Sequence, residues 1–248
     1  GEYFQRSEAK VSVLDSGYLL GDGVWEGIRL HKGHLVHLDE HLDRLYSGAE
    51  TLAMDIGLPK KEVKQVLETT IQKNGMKSDV HIRLIVSRGI KKTPYQSPKV
   101  TMGNPTVVVI PEYKKASEEV KKKGITLATV TTRRDHTVQD PRVNSLSKHN
   151  CIAACIEADR LGVDEGLMLD PHGFVATCNS TNFFIVKDGV IVTPEGRNIL
   201  RGISRGYIFD LCEQLGLECK EANIELYDVY CADEAFMTGT SHSMQTRT

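Results

Sequence analysis

The stretch Pro141-Arg-Val-Asn-Ser-Leu-Ser-Lys-His-Asn-Cys-Ile-Ala-Ala-Cys-Ile-Glu-Ala158 carries the chain from a loop into a predicted helix. The side chain of Asn144 or Ser145 can cap this helix, because it can accept a hydrogen bond from an otherwise unpaired backbone N–H. Apolar residues at helical spacing provide one face: Leu146, Ile152, Ala153 and Ile156. The stretch therefore predicts a helix capped near Ser145 that continues to about Ala158.

Lys148 falls in the first turns of this predicted helix, with Asn144 one turn before it on the same face. Because helical side chains lean toward the N-terminus, the Lys148 amine is expected to point back over Asn144. A lysine at a loop-to-helix junction between two strands can act as a nucleophile that forms a Schiff base. A solvated surface lysine is the default alternative, since the chain has 31 lysine and arginine residues.

The composition is that of an ordinary soluble globular protein, and it argues against several kinds of partner. The chain has 248 residues, 40% hydrophobic and 26% charged, which suits one large domain or two modest ones. A net charge of −2 predicts no general affinity for nucleic acid or for anionic membranes. No apolar run approaches the roughly 20 residues of a membrane span, so we expect neither a membrane span nor a signal peptide.

The six cysteines include no Cys-x-x-Cys pair. They lie in apolar or helical patterns, so we expect buried, reduced thiols and a cytoplasmic protein. No group of histidines and cysteines has the spacing of a zinc site, and we expect no metal.

The first half of the chain alternates between strand and helix patterns. The predicted strands are residues 8–14, 24–30, 80–87 and 105–111, and the predicted helices are residues 38–53 and 60–74. Arg44 lies on the flank of the first helix. It can form a surface ion pair with Glu40, one turn before it, or it can bind an anion, because a guanidinium matches phosphate geometry. The helix alone favours the ion pair.

A long polar loop, Arg88 to Pro98, separates two of these strands and offers Arg88, Lys91, Lys92 and Tyr95. Loops of this length in compact domains are often functional. A flexible surface loop is an equal alternative.

The second half begins after a charge-rich connection and is again a mixture of strands and helices. A helix is predicted from Leu200 to about Leu215, and its first amides, together with Ser204, could hold a phosphate group. The turn Thr238-Gly-Thr-Ser-His242 is a second possible phosphate nest. A plain capped helix and an ordinary solvated turn are the respective alternatives.

Five motifs, taken in order, resemble the class IV aminotransferases: Gly21-Asp-Gly-Val-Trp-Glu-Gly-Ile-Arg29, His41-Leu-Asp-Arg-Leu45, Phe183-Phe-Ile-Val-Lys-Asp-Gly189, Gly202-Ile-Ser-Arg205 and Asp233-Glu-Ala-Phe-Met-Thr-Gly-Thr240. These are the fold-type IV pyridoxal-phosphate enzymes, which include branched-chain and D-amino-acid aminotransferases and aminodeoxychorismate lyase. The resemblance covers nearly the whole chain. It implies a two-domain α/β (α+β) fold, with a small α/β N-terminal domain, a larger C-terminal domain built around a β-barrel, and the cofactor between them.

The corresponding domain boundaries are residues 1–113 for the small domain, 114–123 for the connection and 124–248 for the cofactor domain. Because the family normally continues for several strands past the final turn, the larger domain is expected to be incomplete at its end. The family also implies a homodimer.

By matching position, the resemblance implies a role for a set of residues. The cofactor phosphate would be held by Arg44, Ile203, Ser204 and Thr240. The substrate side pocket would be faced by Trp25 and Arg29. The substrate carboxylate would be approached by Ser241 and His242, and by the polar loop that carries Tyr95.

Two positions depart from the family pattern. Counting back from Glu157-Ala158 places Asn144 where the family has its Schiff-base lysine, and Lys148 follows four residues later. Thr177 stands where the family has a glutamate that pairs with the pyridine nitrogen and keeps the ring a good electron sink. Thr177 can form a hydrogen bond there but carries no charge.

The resemblance therefore implies a pyridoxal-phosphate-dependent aminotransferase in which Lys148 is the catalytic lysine. It would move an amino group between an amino acid, of the branched-chain or D-amino-acid type, and a 2-oxo acid. A lyase of the aminodeoxychorismate type is one alternative. A homologue that has lost the cofactor chemistry and binds another metabolite is the other.

Overall fold

The computed structural model describes residues 1–115, 118–240 and 242–247, with the backbone alone for residues 118, 121 and 242–247. Its contacts divide the chain into two compact units: unit 1 contains Gly1–Lys115 and Asn144–Ser147, and unit 2 contains the rest. No helix of the described part is long and apolar enough to cross a membrane. The domain boundaries taken from the sequence stay a prediction, because a division of contacts does not test independent folding.

Helices and strands alternate along both units. The helices are α1 (Ser16–Leu20), α2 (Leu38–Thr51), α3 (Lys60–Lys73), α4 (Glu118–Lys123), α5 (His149–Leu161), α6 (Ile203–Leu215) and α7 (Leu226–Tyr230). The strands are β1 (Gly23–His31), β2 (His34–Val36), β3 (Val80–Ser87), β4 (Ile90–Lys91), β5 (Thr101–Met102), β6 (Thr106–Tyr113), β7 (Leu127–Thr129), β8 (Glu165–Leu169), β9 (Val175–Cys178), β10 (Asn182–Lys187), β11 (Val190–Pro194), β12 (Cys219–Ala222), β13 (Glu234–Gly239) and β14 (His242–Arg247).

Unit 1 is built on an antiparallel sheet with strand order β2-β1-β3-β6. Alternate residues of β1 and β3 point to the same face, so Val24, Ile28 and Leu84 are buried on one side. Leu42 of α2 and Leu67 of α3 are fully buried and complete the apolar core of this unit. The predicted strands at β1 and β3 and the predicted helices at α2 and α3 are confirmed.

The segment before α5 is not helical, and this corrects the predicted helix. The Trp25 N–H donates to the Asn144 carbonyl, and the Leu146 N–H donates to the Gly23 carbonyl, each at 2.9 Å. These bonds keep residues 144–146 extended against β1, so α5 begins only at His149, with Lys148 as its N-cap at φ −120°. The expectation that Lys148 and Asn144 share one helical face, with the amine over Asn144, is therefore wrong.

The predicted strand at residues 8–14 is also wrong. Val11 and Val13 alternate as in a strand but are exposed, and the chain turns into α1 instead. The Asp15 carboxylate caps α1 by accepting hydrogen bonds from the amides of Gly17 and Tyr18.

Unit 2 contains a five-stranded sheet of order β12-β11-β10-β13-β14 and a three-stranded sheet of order β7-β8-β9. Strands β11 and β12 are parallel, and α6 lies in the connection between them, as parallel pairing requires. Phe183 of β10 belongs to a core with Leu167 and Ile185, whereas its neighbour Phe184 stacks on Phe236 at 4.7 Å between ring centroids. Strand β10 is therefore covered on both faces, which explains its continuous run of apolar residues.

Glu157 fastens α5 to the segment that follows β7. Its carboxylate accepts hydrogen bonds from the Thr131 N–H at 2.6 Å, the Thr131 hydroxyl at 2.8 Å, the Thr132 N–H at 3.0 Å, and the Thr132 hydroxyl. The Thr132 hydroxyl is the largest cause that lowers the pKa of Glu157, from 4.5 to about 2. A carboxylate whose pKa is lowered by folding stabilises the folded state at any pH above its pKa in the unfolded chain.

We predict that Glu157→Gln lowers the free energy of unfolding at pH 7 by about 1–2 kcal/mol, because hydrogen bonds to a charged acceptor are the stronger kind. The deficit should be present above pH 4.5 and should shrink as the pH falls toward 2, since the wild-type carboxylate protonates there. Urea unfolding at several pH values measures both. Asp159→Asn, at an exposed carboxylate of the same helix, is the control. Equal stability of Glu157→Gln and wild type at pH 7 would contradict the prediction.

Candidate active site

The start of α6 is shaped by the side chain of Asn182. The Asn182 amide donates to the Leu200 carbonyl at 2.9 Å. Its oxygen lies 2.1 Å from the position that a Cβ on Gly202 would take, so only glycine fits as the N-cap of α6. The loop and the helix start are therefore held in one conformation by a buried amide.

The same helix start suits an anion. Among the described residues, no side chain caps α6 and its first turn contains no acidic residue. The amides of Ile203 and Ser204 lie at the positive end of a helix of 13 residues, which attracts negative charge. This agrees with the phosphate role that the resemblance implies for both residues.

A buried hydroxyl lies close to this helix start through the sheet. Thr238 of β13 is the register partner of Asn182 and is only 3% exposed. Its Oγ1 has no hydrogen-bond partner in the described part of the chain. A buried hydroxyl without a partner is costly unless a ligand satisfies it. Thr240, half-buried in the turn that follows β13, comes two residues later.

Thr177 is buried in β9, and its hydroxyl donates to the Thr181 carbonyl at 2.6 Å. The Thr177 hydroxyl hydrogen is therefore already donated within the turn that joins β9 to β10. Near this turn lies a carboxylate that sequence reasoning missed: Glu165, which accepts from the hydroxyls of Ser180 at 2.7 Å and Thr181 at 3.1 Å. Nothing in the spacing of these residues along the chain signals that contact.

In unit 1, Arg44 forms an ion pair with Glu26 and not with Glu40. Arg44 Nε and Nη2 donate to the two carboxylate oxygens of Glu26, each at 2.7 Å. His41 Nδ1 lies 2.7 Å from the same carboxylate. Burial alone would raise the pKa of Glu26, but the hydrogen bonds from Arg44 and His41 lower it. The fixed carboxylate orients one edge of the Arg44 guanidinium.

The other face of the sheet in unit 1 combines an aromatic ring with cationic groups. The Arg83 guanidinium lies 4.1 Å from the centroid of the Trp25 ring, and Arg29 Nη1 donates to the Lys114 carbonyl at 2.6 Å. A Cβ on Gly27 would lie 2.7 Å from His81 Nε2, so glycine makes room for that imidazole.

His81 is neutral at pH 7 in this setting. Burial is the largest cause that lowers its pKa to about 4, and the charges of Lys114, Arg83 and Arg29 add to it. Sequence reasoning identified Trp25 and Arg29 but missed Arg83 and His81. The alternation of the predicted strand 80–87 could have found them, because it places both on the face opposite the core.

The polar loop from Arg88 to Pro98 is anchored in unit 1. Arg88 donates through Nε and Nη2 to the two oxygens of Asp22, at 2.7 and 3.0 Å. Lys91 is fully buried, with its amine 3.3 Å from the Ser97 carbonyl. Tyr95 is 55% exposed at the tip of the loop.

The remaining predicted residues fall at the loop before α5 and at the end of the chain. Asn144 is buried, and its side-chain amide donates to the Trp25 carbonyl at 2.8 Å. Lys148 is half-buried at the N-cap of α5. Ser241 lies outside the described residues, and for His242 the structure describes only the backbone, which opens β14.

Comparisons with known proteins identify the class. The model of the family described as amino-transferase class IV matches residues 23–246. A putative branched-chain-amino-acid aminotransferase of Methanocaldococcus jannaschii is 41% identical over 97% of this chain and 83% of its own length. The branched-chain-amino-acid aminotransferase-like protein 1 of Arabidopsis thaliana is 38% identical over 96% of this chain and 43% of its own length.

Solved structures agree with this fold. The branched-chain aminotransferase of Thermoproteus uzoniensis with norvaline matches with a TM-score of 0.88 and 31% identity, covering 97% of this chain and 82% of that one. The T.th. branched-chain amino acid aminotransferase complexed with N-(5'-phosphopyridoxyl)-L-glutamate matches with a TM-score of 0.91 and 30% identity, covering 99% and 82%. The chain belongs to the class IV aminotransferases, which are pyridoxal-phosphate-dependent enzymes of fold type IV.

The described residues fit the phosphate end of that cofactor. The uncapped start of α6 and the unpaired hydroxyl of Thr238 both suit an anionic group. Thr177 carries no charge, and its hydroxyl hydrogen is already donated to the Thr181 carbonyl.

We predict that Gly202→Ala weakens the binding of pyridoxal phosphate and of inorganic phosphate by about tenfold or more. The added Cβ must displace the Asn182 oxygen, which lies 2.1 Å away, and overpacking of this kind costs about 1–3 kcal/mol. Fluorescence titration with each ligand measures the effect. Gly206→Ala, in the same helix with open space around its Cβ, should bind as well as the wild type. Unchanged phosphate affinity in Gly202→Ala would contradict the anion site at α6.

Proposed function

We propose that this chain binds pyridoxal phosphate and transfers an amino group between a branched-chain amino acid and a 2-oxo acid. The observation that carries the proposal is the start of α6, where uncapped amides and the unpaired Thr238 hydroxyl provide a place for a phosphate group. The names of the similar enzymes support the substrate type. Pyridoxal phosphate, when bound, supplies a carbonyl that condenses with amines and a ring that accepts electrons from the Cα–H bond.

The cofactor residues of the proposal are Arg44, Ile203, Ser204, Thr240 and Thr177. Arg44 is held by Glu26 through one edge of its guanidinium, and an arginine fixed in this way is pre-organised for an oxyanion. Ile203 and Ser204 donate their amides from the helix start. Thr177 lies beside the ring as a neutral hydrogen-bonding group.

Lys148 is the proposed catalytic lysine. It stands at the N-cap of α5, directly after the segment that pairs with β1, and it is half-buried. In the proposal, Lys148 Nζ links the protein to the cofactor in the resting enzyme. As a free amine, Lys148 Nζ would accept the proton from the substrate Cα as a general base and would deliver it to the cofactor carbon as a general acid.

The substrate side of the proposal is the outer face of the unit 1 sheet. The Trp25 ring offers an apolar surface to an aliphatic side chain, and the guanidinium groups of Arg29 and Arg83 offer charge to a carboxylate. Tyr95, Ser241 and His242 complete the proposed substrate residues. Both hands of the amino acid belong in the first substrate screen, because the D-amino-acid branch of the family shares this fold. We further propose a cytoplasmic homodimer, which the six free thiols support for the compartment.

A second function is favoured by the hydrogen bonds of Asn144 and Thr177. Both side chains give a hydrogen to a backbone carbonyl, at 2.8 and 2.6 Å, and so serve the scaffold instead of a cofactor. A homologue with these features could hold a phosphorylated metabolite at α6 without transferring an amino group. A lyase that uses the same cofactor is the remaining alternative.

We predict that borohydride treatment of the protein with pyridoxal phosphate leaves a stable adduct on the peptide that contains Lys148. Visible spectra before and after reduction, followed by peptide mapping, measure this. Lys148→Ala should lose the adduct and about three orders of magnitude of activity, the size of a lost general base. Lys92→Met, at an exposed lysine, is the control.

An adduct that persists in Lys148→Ala, or that maps to another lysine, would contradict the role of Lys148. If pyridoxal phosphate binds and inorganic phosphate competes with it, but no lysine carries an adduct, the metabolite-binding function is favoured. In that case, Asn144→Lys combined with Thr177→Glu should gain transaminase activity.

We predict that Arg83→Gln raises the KM for the amino-acid and 2-oxo-acid substrates by about tenfold, because a charge-assisted hydrogen bond to the carboxylate is lost. Steady-state kinetics with leucine and 2-oxoglutarate measure it. Arg160→Gln, at an exposed arginine of α5, should leave KM unchanged. A KM for both substrates within twofold of wild type would remove Arg83 from the substrate site.

A further inference from the structure

A buried cationic side chain lies inside unit 2. Arg134 follows β7, and its N–H donates to the Leu169 carbonyl at 2.9 Å. Its side chain is 6% exposed, and among the described residues it forms no ion pair with a carboxylate. Arginine remains charged in proteins, and a buried charge without a counter-charge is strongly destabilising. The setting therefore calls for negative charge.

The group that Arg134 faces is a sulfur atom. Arg134 Nη1 donates to Cys151 Sγ at 2.9 Å, while Arg134 Nε has no hydrogen-bond partner in the described part of the chain. A neutral thiol is a weak acceptor, whereas a thiolate is a full counter-charge. The buried guanidinium thus contacts a sulfur atom that can become an anion by losing a proton.

The position of Cys151 in the chain favours the same charge. It lies in the first turn of α5, a helix of 13 residues that has no acidic residue in that turn. The positive end of the helix dipole and an adjacent arginine are the two features that distinguish reactive from structural cysteines. Cys151 is also half-buried and so stays within reach of small reagents.

We propose that Cys151 is a nucleophilic cysteine and the site at which small electrophiles modify this protein, because Arg134 Nη1 and the start of α5 both face its sulfur. With iodoacetamide, the sulfur anion forms an S–C bond, the C–I bond breaks, and iodide leaves with the electron pair. No oxidant or further reactant is needed. This property does not depend on the proposed aminotransferase activity, because the sulfur reacts whether or not cofactor is present.

The test is limited alkylation of the full chain with iodoacetamide at pH 7, with the rate at each cysteine measured by mass spectrometry. Cys155 and Cys231 are exposed and provide the comparison within one molecule, whereas buried Cys178 and Cys212 report loss of the native fold. We expect Cys151 to react about tenfold faster than Cys155 and Cys231, although it is less exposed than either. Cys178 and Cys212 should remain unlabelled.

Arg134→Gln should slow Cys151 about tenfold and leave the rates of Cys155 and Cys231 unchanged, provided that Cys178 and Cys212 stay protected. Arg134→Lys keeps the charge and serves as the test variant if Arg134→Gln does not fold. In Arg134→Lys, Cys151 should still react several-fold faster than Cys155 and Cys231. The proposal is overturned if Cys155 or Cys231 of the wild-type protein reacts as fast as Cys151. It is also overturned if a folded Arg134→Gln protein keeps the wild-type rate at Cys151.

Discussion

The start of α6 depends on the side-chain amide of Asn182. One end of this buried side chain holds the Leu200 carbonyl, and the other end leaves no room for a Cβ at Gly202. Through its backbone, Asn182 is also the register partner of Thr238. A single residue thus sets the start of α6 against the end of β13. Functional groups are most effective when a supporting shell fixes them, and here the support consists of one amide and one glycine.

The two positions that depart from the family pattern share a physical character. Asn144 and Thr177 are both neutral, and the side chain of each donates to a backbone carbonyl. Buried neutral donors of this kind stabilise the scaffold and need no counter-ion. Arg44 in unit 1 is charged, and the Glu26 carboxylate neutralises it directly.

Hydrophobic periodicity correctly predicted the helices and strands whose formation depends least on contacts between distant parts of the chain. Strands β1 and β3 and helices α2 and α3 follow from alternation and helical spacing, because each buries one face in a simple core. The start of α5 could not be predicted in this way, since hydrogen bonds from β1, about 120 residues away, hold Asn144 extended. Arg44 shows the same limit. Helical spacing predicts an ion pair with Glu40 on the same helix, whereas the ion-pair partner in the structure is Glu26 on β1. Motif order predicted the family, whereas the phosphate role of the α6 residues stays a prediction. No sequence pattern signals the contact between Arg134 and Cys151.

The extended segment 144–147 makes unit 1 discontinuous along the chain. During synthesis, residues 1–115 leave the ribosome with the outer edge of β1 lacking the hydrogen bonds that Asn144 and Leu146 later supply. Unit 1 is thus completed only after some thirty further residues have been translated. Most of these residues belong to unit 2, so unit 1 cannot finish folding before the synthesis of unit 2 has begun. Any fragment cut at the end of β6 will lack a piece of its own sheet.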